Sequence, residues 1–224
     1  MITAERKPFE EIYEFARKYK KVLIMGCGSC VTVCLAGGEK EVSVLASQIK
    51  LAAKEKGDTI SVTEHTITRQ CDREFFDEET AKKIKEADAV ISIACGVGVQ
   101  FCIECFPDMI VSPGLNTSCY GATIEQGVWA ERCAGCGKCI LDSTGGICPV
   151  ARCAKNLLNG PCGGSQDGQC EVDNELDCAW QLIFDRMKSL NRLSELETIQ
   201  KPKDWSASLS GGPRKIVRED MKLS

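Results

Sequence analysis

Sixteen cysteines among 224 residues constrain this chain more than any other feature. Thiols at that density either close disulfides in an oxidising compartment or hold metal in a reducing one. The opening segment bears on the choice, because Met1 to Glu11 carries charges and Pro8 where an export signal needs an unbroken apolar core. No later stretch reaches the roughly eighteen consecutive apolar residues of a membrane span. A cytoplasmic chain is therefore expected, and its cysteines call for metal or redox chemistry. Scattered packing thiols would not cluster as these do.

The first half reads as an open α/β domain. Pro8 followed by Phe9, Ile12, Tyr13, Ala16 and Tyr19 predicts an amphipathic helix with proline in its first turn. Apolar runs at Lys21–Gly26 and Asp88–Ala94, with Thr59–Thr68 between them, predict strands. Helices marked by Val42, Leu45, Ile49 and Ala52, and by Ala81 and Ile84, separate them. Strands alternating with helices imply a parallel sheet wound right-handedly, of Rossmann or flavodoxin type. Met109, Ile110 and Val111 offer a fourth strand, and the Pro113-Gly114 turn closes the domain, set at residues 1–117.

Cysteines follow each strand. Cys27, Cys30 and Cys34 form a C-x2-C-x3-C run after the first, Cys71 follows the second, Cys95 the third, and the pair Cys102 and Cys105 comes soon after. Parallel topology brings the carboxyl ends of such strands to one edge, so seven thiols are expected on one rim. A 4Fe-4S cluster needs four thiolates and a loop that bends tightly, which Gly26, Gly28 and Ser29 permit. Cys27, Cys30 and Cys34 are the expected ligands, with Cys95 as the fourth. Spacing alone leaves Cys71, Cys102 and Cys105 open as alternatives, and the last two also suit simple packing.

Residues 118–199 read as a second module, rich in Cys and Gly, without a long apolar period and held by metal. Cys133, Cys136 and Cys139 form C-x2-C-x2-C, and Cys148-Pro149 follows. This is the bacterial ferredoxin arrangement with a longer loop before its last ligand. Cys153, Cys162, Cys170 and Cys178 supply four more thiols. Their spacing suits a further cluster or a tetrahedral zinc equally well. Trp180, Ile183, Met187 and Leu190 give the module a helix over Ala179–Leu196, and residues 200–224 read as an extended tail that orders on a partner.

Other signals carry less. Gly26-Cys27-Gly28 is half of a dinucleotide fingerprint without its third glycine. His65, the lone histidine, is expected to be a solvated strand residue rather than a ligand. A net charge of -4, with no dense Lys or Arg run, argues against nucleic acid as a partner.

The stretch Cys153-Ala-Lys-Asn-Leu-Leu-Asn-Gly-Pro-Cys162-Gly-Gly, with Cys170 and Cys178-Ala-Trp180, resembles the C-terminal domain of methylenetetrahydrofolate reductases. With the N-terminal Met25-Gly-Cys-Gly-Ser-Cys30 and Gly37-Gly38-Glu39-Lys40, the chain resembles the separate MetV-type small subunit of that enzyme in acetogens and other anaerobes. The resemblance implies a cytoplasmic, non-catalytic electron-transfer subunit of an oxidoreductase complex in one-carbon metabolism and the acetyl-CoA pathway. Its implied partners are an FMN-containing catalytic subunit and an electron-donor subunit or ferredoxin. Two 4Fe-4S clusters and room for a third are expected, with zinc able to replace one. Two rival readings are a zinc-stapled assembly subunit and a reductase that binds its own nucleotide.

Overall fold

The structure, a computed structural model, describes residues 1–208 and 211–222. Its first compact unit, Met1–Ala130, is built on a parallel sheet of four strands. In chain order the leading elements are β1 (Ile2–Arg6), α1 (Phe9–Ala16), β2 (Lys21–Cys27), α2 (Cys30–Val33), α3 (Glu39–Lys56) and β3 (Ser61–Ile67). Then follow α4 (Glu78–Glu86), β4 (Ala89–Ile93), α5 (Gly96–Cys105) and β5 (Val111–Pro113). The sheet order is β3-β2-β4-β5, and every pairing is parallel. This is the expected α/β class, with the doubly wound order in which the chain reverses direction between β2 and β4.

Burial on both faces explains why β2 and β4 read as unbroken apolar runs. Val22, Ile24, Ile91 and Ile93 pack with Ile12 of α1 and with Leu45 and Ile49 of α3. Leu23, Met25 and Val90 pack on the other side with Ile84 of α4 and Cys102 of α5. Helix α3 buries Val42, Leu45, Ala46, Ile49 and Ala53, the stripe its period predicts, and Gly57 ends it at φ 73°. Asp77 caps α4 by accepting from the amide of Thr80 at 2.8 Å.

A second sheet was not legible in the sequence. Strand β1 pairs antiparallel with β6 (Leu115–Glu125), from Ile2 opposite Tyr120 to Arg6 opposite Leu115, and β7 (Val128–Cys133) lies on the far side of β6. These strands carry the first unit past residue 117, where composition sets the boundary. The hairpin that continues it holds Asn116, Thr117, Ser118 and Thr123 where an apolar alternation would signal a strand. Backbone pairing over more than a hundred residues holds it instead, together with Leu115 and Gly121, which are buried.

The second unit, Glu131–Ser224, has short elements: α6 (Pro149–Arg152), α7 (Ala179–Ser189) and a few 3-10 turns. Its core is Cys178, Trp180, Ile183 and Met187, against which Ile147, Cys153, Leu157 and Leu193 pack. The helix expected to reach Leu196 stops sooner, because Asn191 takes φ 58° and Arg192 turns back to pair with Glu195 at 2.7 Å. Residue 200, where the tail begins, is fixed. The Asn159 amide donates to the Gln200 carbonyl at 2.9 Å and accepts from its N–H at 2.7 Å.

Two outcomes follow from the packing of the first unit. A Cβ on Gly37 would lie 1.8 Å from the Ile93 carbonyl oxygen, which is backbone and cannot swing aside. Gly37→Ala should therefore cost about 3 kcal/mol or more, read as a lowered denaturation midpoint. His65 is half-buried rather than solvated: the Lys83 ammonium donates to Nδ1 at 3.1 Å, which leaves Nε2 to donate to Thr80 Oγ1 at 2.9 Å. Burial, then Lys83, lowers its pKa, against weaker opposition from Glu79 and Asp77. The unfolded chain thus binds this proton more readily, and stability falls as pH drops from above about 6.5 through the lowered native value. His65→Gln should flatten the fall in denaturation midpoint between about pH 7 and pH 5.

Candidate metal centres

The carboxyl ends of β2, β3 and β4 meet at the edge where the sheet order reverses, and thiols sit on the exits. Cys27 is the last residue of β2, Cys95 caps α5 just after β4, and Cys71 lies in the loop after β3. Burial, and then its nearness to Cys95 and Cys27, holds the Cys71 thiol above the ordinary value. Backbone bonds tie the loops together. Gly28 N–H donates to the Ile67 carbonyl at 2.8 Å, Ser29 Oγ to the Thr68 carbonyl at 2.9 Å, and Cys27 N–H to the Gly37 carbonyl at 2.9 Å.

Beneath Cys71 lies a residue that motif reading did not single out. Gln70 is fully buried, and its amide nitrogen donates to the carbonyls of Met25 and Gly26 at 2.9 Å each. Its oxygen accepts from Ser92 Oγ at 2.7 Å. One side chain thus joins the loop after β3 to the ends of β2 and β4. A buried amide with no local hydrophobic pattern leaves no sequence signal beyond its place two residues past a strand.

The expected gathering of seven thiols does not occur, and helix geometry is the reason. Helix α5 leaves the rim at Gly96 and runs away from it, so Cys102 and Cys105 lie roughly 9 and 14 Å further along its axis. Cys102 is fully buried with Leu23, Met25 and Val90, and that burial pushes its thiol up to about 12. It is a packing residue, which removes it from the ligand candidates, and half-buried Cys105 sits beside it rather than with Cys27. Cys34 faces β1: its Sγ donates to the carbonyls of Ala4 at 3.7 Å and Val31 at 3.6 Å, and burial raises its pKa. Cys30 opens α2 and is half-buried. Cys119, which no motif claimed, pairs through Sγ with Thr3 Oγ1 at 2.8 Å. It lines a cavity of about 580 Å³ together with Cys34, Arg6, Lys40 and Trp129.

In the second unit the run from Cys133 to Cys139 turns on two glycines with left-handed backbone, Gly135 at φ 59° and Gly137 at φ 80°. The amide of Gly135 points at Cys133 Sγ, 3.3 Å away, a contact that stabilises a thiolate. Cys148 precedes Pro149, the first residue of α6, and the Arg152 guanidinium lies within electrostatic reach of it. Burial and Arg132 lower the Arg152 pKa, against Asp177 and Cys148.

Of the remaining four thiols, Cys153 and Cys178 pack with Trp180. Its Nε1–H donates to the Leu157 carbonyl at 3.0 Å, and its ring fills the space that a Cβ on Gly160 would need. That contact accounts for Gly160 in the Asn-Gly-Pro-Cys motif and orders the chain between Cys153 and Cys162. Amides of Cys170 and Cys178 donate to Leu176 at 2.8 Å and Gly168 at 2.7 Å, folding residues 166–178 into a compact loop. Cys178, buried, caps α7 beside Cys153, while Cys162 contacts Glu171 at 3.6 Å. Glu171 also pairs with Lys155, a connection the cysteine spacing did not suggest.

Among the described residues no three His, Cys, Asp or Glu side chains close on a single point that would hold one metal ion. The chemistry of the donors nevertheless suits soft metal ions, because both groups are thiols with small-residue turns and N–H donors next to them. The nucleotide reading fares worse. The amides of Cys27 and Gly28 are already bonded, and Val42 and Thr66 crowd Gly26, so no phosphate cradle is formed there.

No helix among the described residues is long and apolar enough to cross a membrane. Neither a curated protein nor a solved structure matches the chain. Residues 112–206, which carry the Cys133–Cys139 run and every later cysteine, match the family described as methylene-tetrahydrofolate reductase C terminal, and it is this segment that is similar to methylenetetrahydrofolate reductases.

Proposed function

We propose that this chain is the electron-transfer subunit of a methylenetetrahydrofolate reductase complex, serving a separate FMN-bearing catalytic subunit in the acetyl-CoA pathway of anaerobes. The observation that carries the reading is the family match over residues 112–206, a segment whose cysteines follow ferredoxin spacing. Cys133, Cys136, Cys139 and Cys148 would hold one 4Fe-4S cluster, and a second belongs to the rim of the parallel sheet. Cys153, Cys162, Cys170 and Cys178 would hold zinc or a third cluster. Such clusters supply one-electron transfer between a donor, a ferredoxin or a further subunit, and the flavin.

The chain's own groups set the conditions for that transfer. Gly135 and Gly137 let the backbone bend closely around the first three thiols, and the Gly135 N–H offsets charge on Cys133. Arg152 places a positive charge near Cys148, which favours the more negative, reduced state of whatever that cysteine binds. Trp180, with Ile183 and Met187, gives Cys153 and Cys178 a dry support.

Protein purified without oxygen should be brown and contain iron and sulfide in about equal amounts, with the 4Fe-4S stoichiometry. Cys136→Ser should remove about four iron atoms per chain and leave the rest. A colourless, zinc-replete preparation would replace the relay with a structural assembly role. The far part of the tail is assigned to the catalytic subunit, so removal of residues 209–224, which keeps the segment that packs on Gly137 and Lys138, should abolish co-purification of the two chains while the iron content stays at the parent level.

A further inference from the structure

Resting on the metal-bearing reading above, we propose that the rim centre is held by Cys27, Cys30, Cys71 and Cys95, with Gln70 as its positioning residue and Cys34 outside it. The C-x2-C-x3-C spacing favours Cys34, yet the folded chain places its thiol elsewhere.

The case begins with register. Gly26 stands opposite Ile93 and Cys27 opposite Ile67, so β3, β2 and β4 release their loops at one level. Neighbouring strands lie about 4.8 Å apart, so three adjacent exits span roughly 10 Å. A cubane with its thiolates is of that size, and each exit delivers one cysteine: Cys71, Cys27 and Cys95. Cys30 lies one C-x2-C step from Cys27 at the opening of α2, and its Sγ makes no hydrogen bond among the described residues. Cys34 differs in where its thiol faces. Its S–H meets two backbone carbonyls, Ala4 of β1 at 3.7 Å and Val31 at 3.6 Å, whereas the Cys27 thiol lies beside the rim itself, 4.0 Å from the Thr68 carbonyl in the loop that leads to Cys71.

Gln70 makes the arrangement possible, because Cys71 comes from a loop with no regular structure of its own. Three hydrogen bonds from the adjacent side chain fix that loop to Met25, Gly26 and Ser92, the segments that lead into Cys27 and Cys95. Gly98 in the first turn of α5 leaves room for it, since a Cβ there would lie 2.9 Å from that of Gln70.

The test is iron, sulfide and zinc per full-length chain purified without oxygen, with melting temperature and electron paramagnetic resonance of the reduced protein. Cys71→Ser and Cys95→Ser should each lose about four iron atoms, while Cys34→Ser and Cys34→Ala retain the parent content. Gln70→Leu, which keeps volume and removes the bonds, should shift or abolish the rim resonance and leave that of the Cys133 centre unchanged. Loss of iron in both Cys34 variants, with retention in Cys71→Ser, overturns this ligand set and leaves the relay intact. A zinc-loaded, iron-free parent that loses zinc in Cys71→Ser supports the ligand set and sinks the relay. A parent free of both metals overturns the two together.

Discussion

The Gln70 amide ties the loop after β3 to the paired ends of β2 and β4, a tie the sheet's own hydrogen bonds do not make. A parallel sheet fixes its strands along their length, but the loops beyond their carboxyl ends are free to diverge. A fully buried side chain that reaches β2 and β4 from the loop after β3 removes that freedom. Its value lies in the penalty for losing it, because truncation would leave a buried serine hydroxyl without its acceptor and two strand-end carbonyls with fewer donors. Gly37 acts in the same region from the other side, closing the loop after α2 against β4 by a contact only hydrogen can occupy.

The two units solve the ordering of cysteines by different means. In the first, a large apolar core sets three strand ends level, and the thiols inherit their positions from the sheet. In the second, the core is a few side chains around Trp180, and loops are shaped by left-handed glycines and single hydrogen bonds. Too little apolar surface is buried there to hold those loops by packing alone, which is the situation in which metal binding contributes directly to folding.

How much was legible depended on whether the signal was local. The strands Lys21–Cys27 and Ala89–Ile93 and the stripe of α3 followed from sequence because burial on both faces leaves an apolar run and burial of one helix face leaves a 3.6-residue period. Strands β1 and β6 did not, because Thr3 and Cys119 announce nothing until they are placed side by side. At the rim, spacing put Cys27 and Cys95 on neighbouring strand exits, but it cannot say which way a thiol on a short helix points, and the Cys34 thiol faces Ala4 of β1. Spacing also drew in Cys102 and Cys105, because a motif carries no direction and α5 takes them away from the edge. Gln70 and Glu171 had no pattern to reveal them.

The pairing of β1 with β6 also bears on the order in which the protein is made. The Met1 amino group donates to the Gly121 carbonyl at 2.9 Å, so β1 cannot be paired until the more than a hundred residues that separate it from β6 have been synthesised. The parallel sheet, by contrast, has all its strands by residue 113. Contacts so distant in sequence form late. During that interval Cys34 is without the Ala4 carbonyl that its thiol meets in the finished fold, so β1 settles over α2 only at the end.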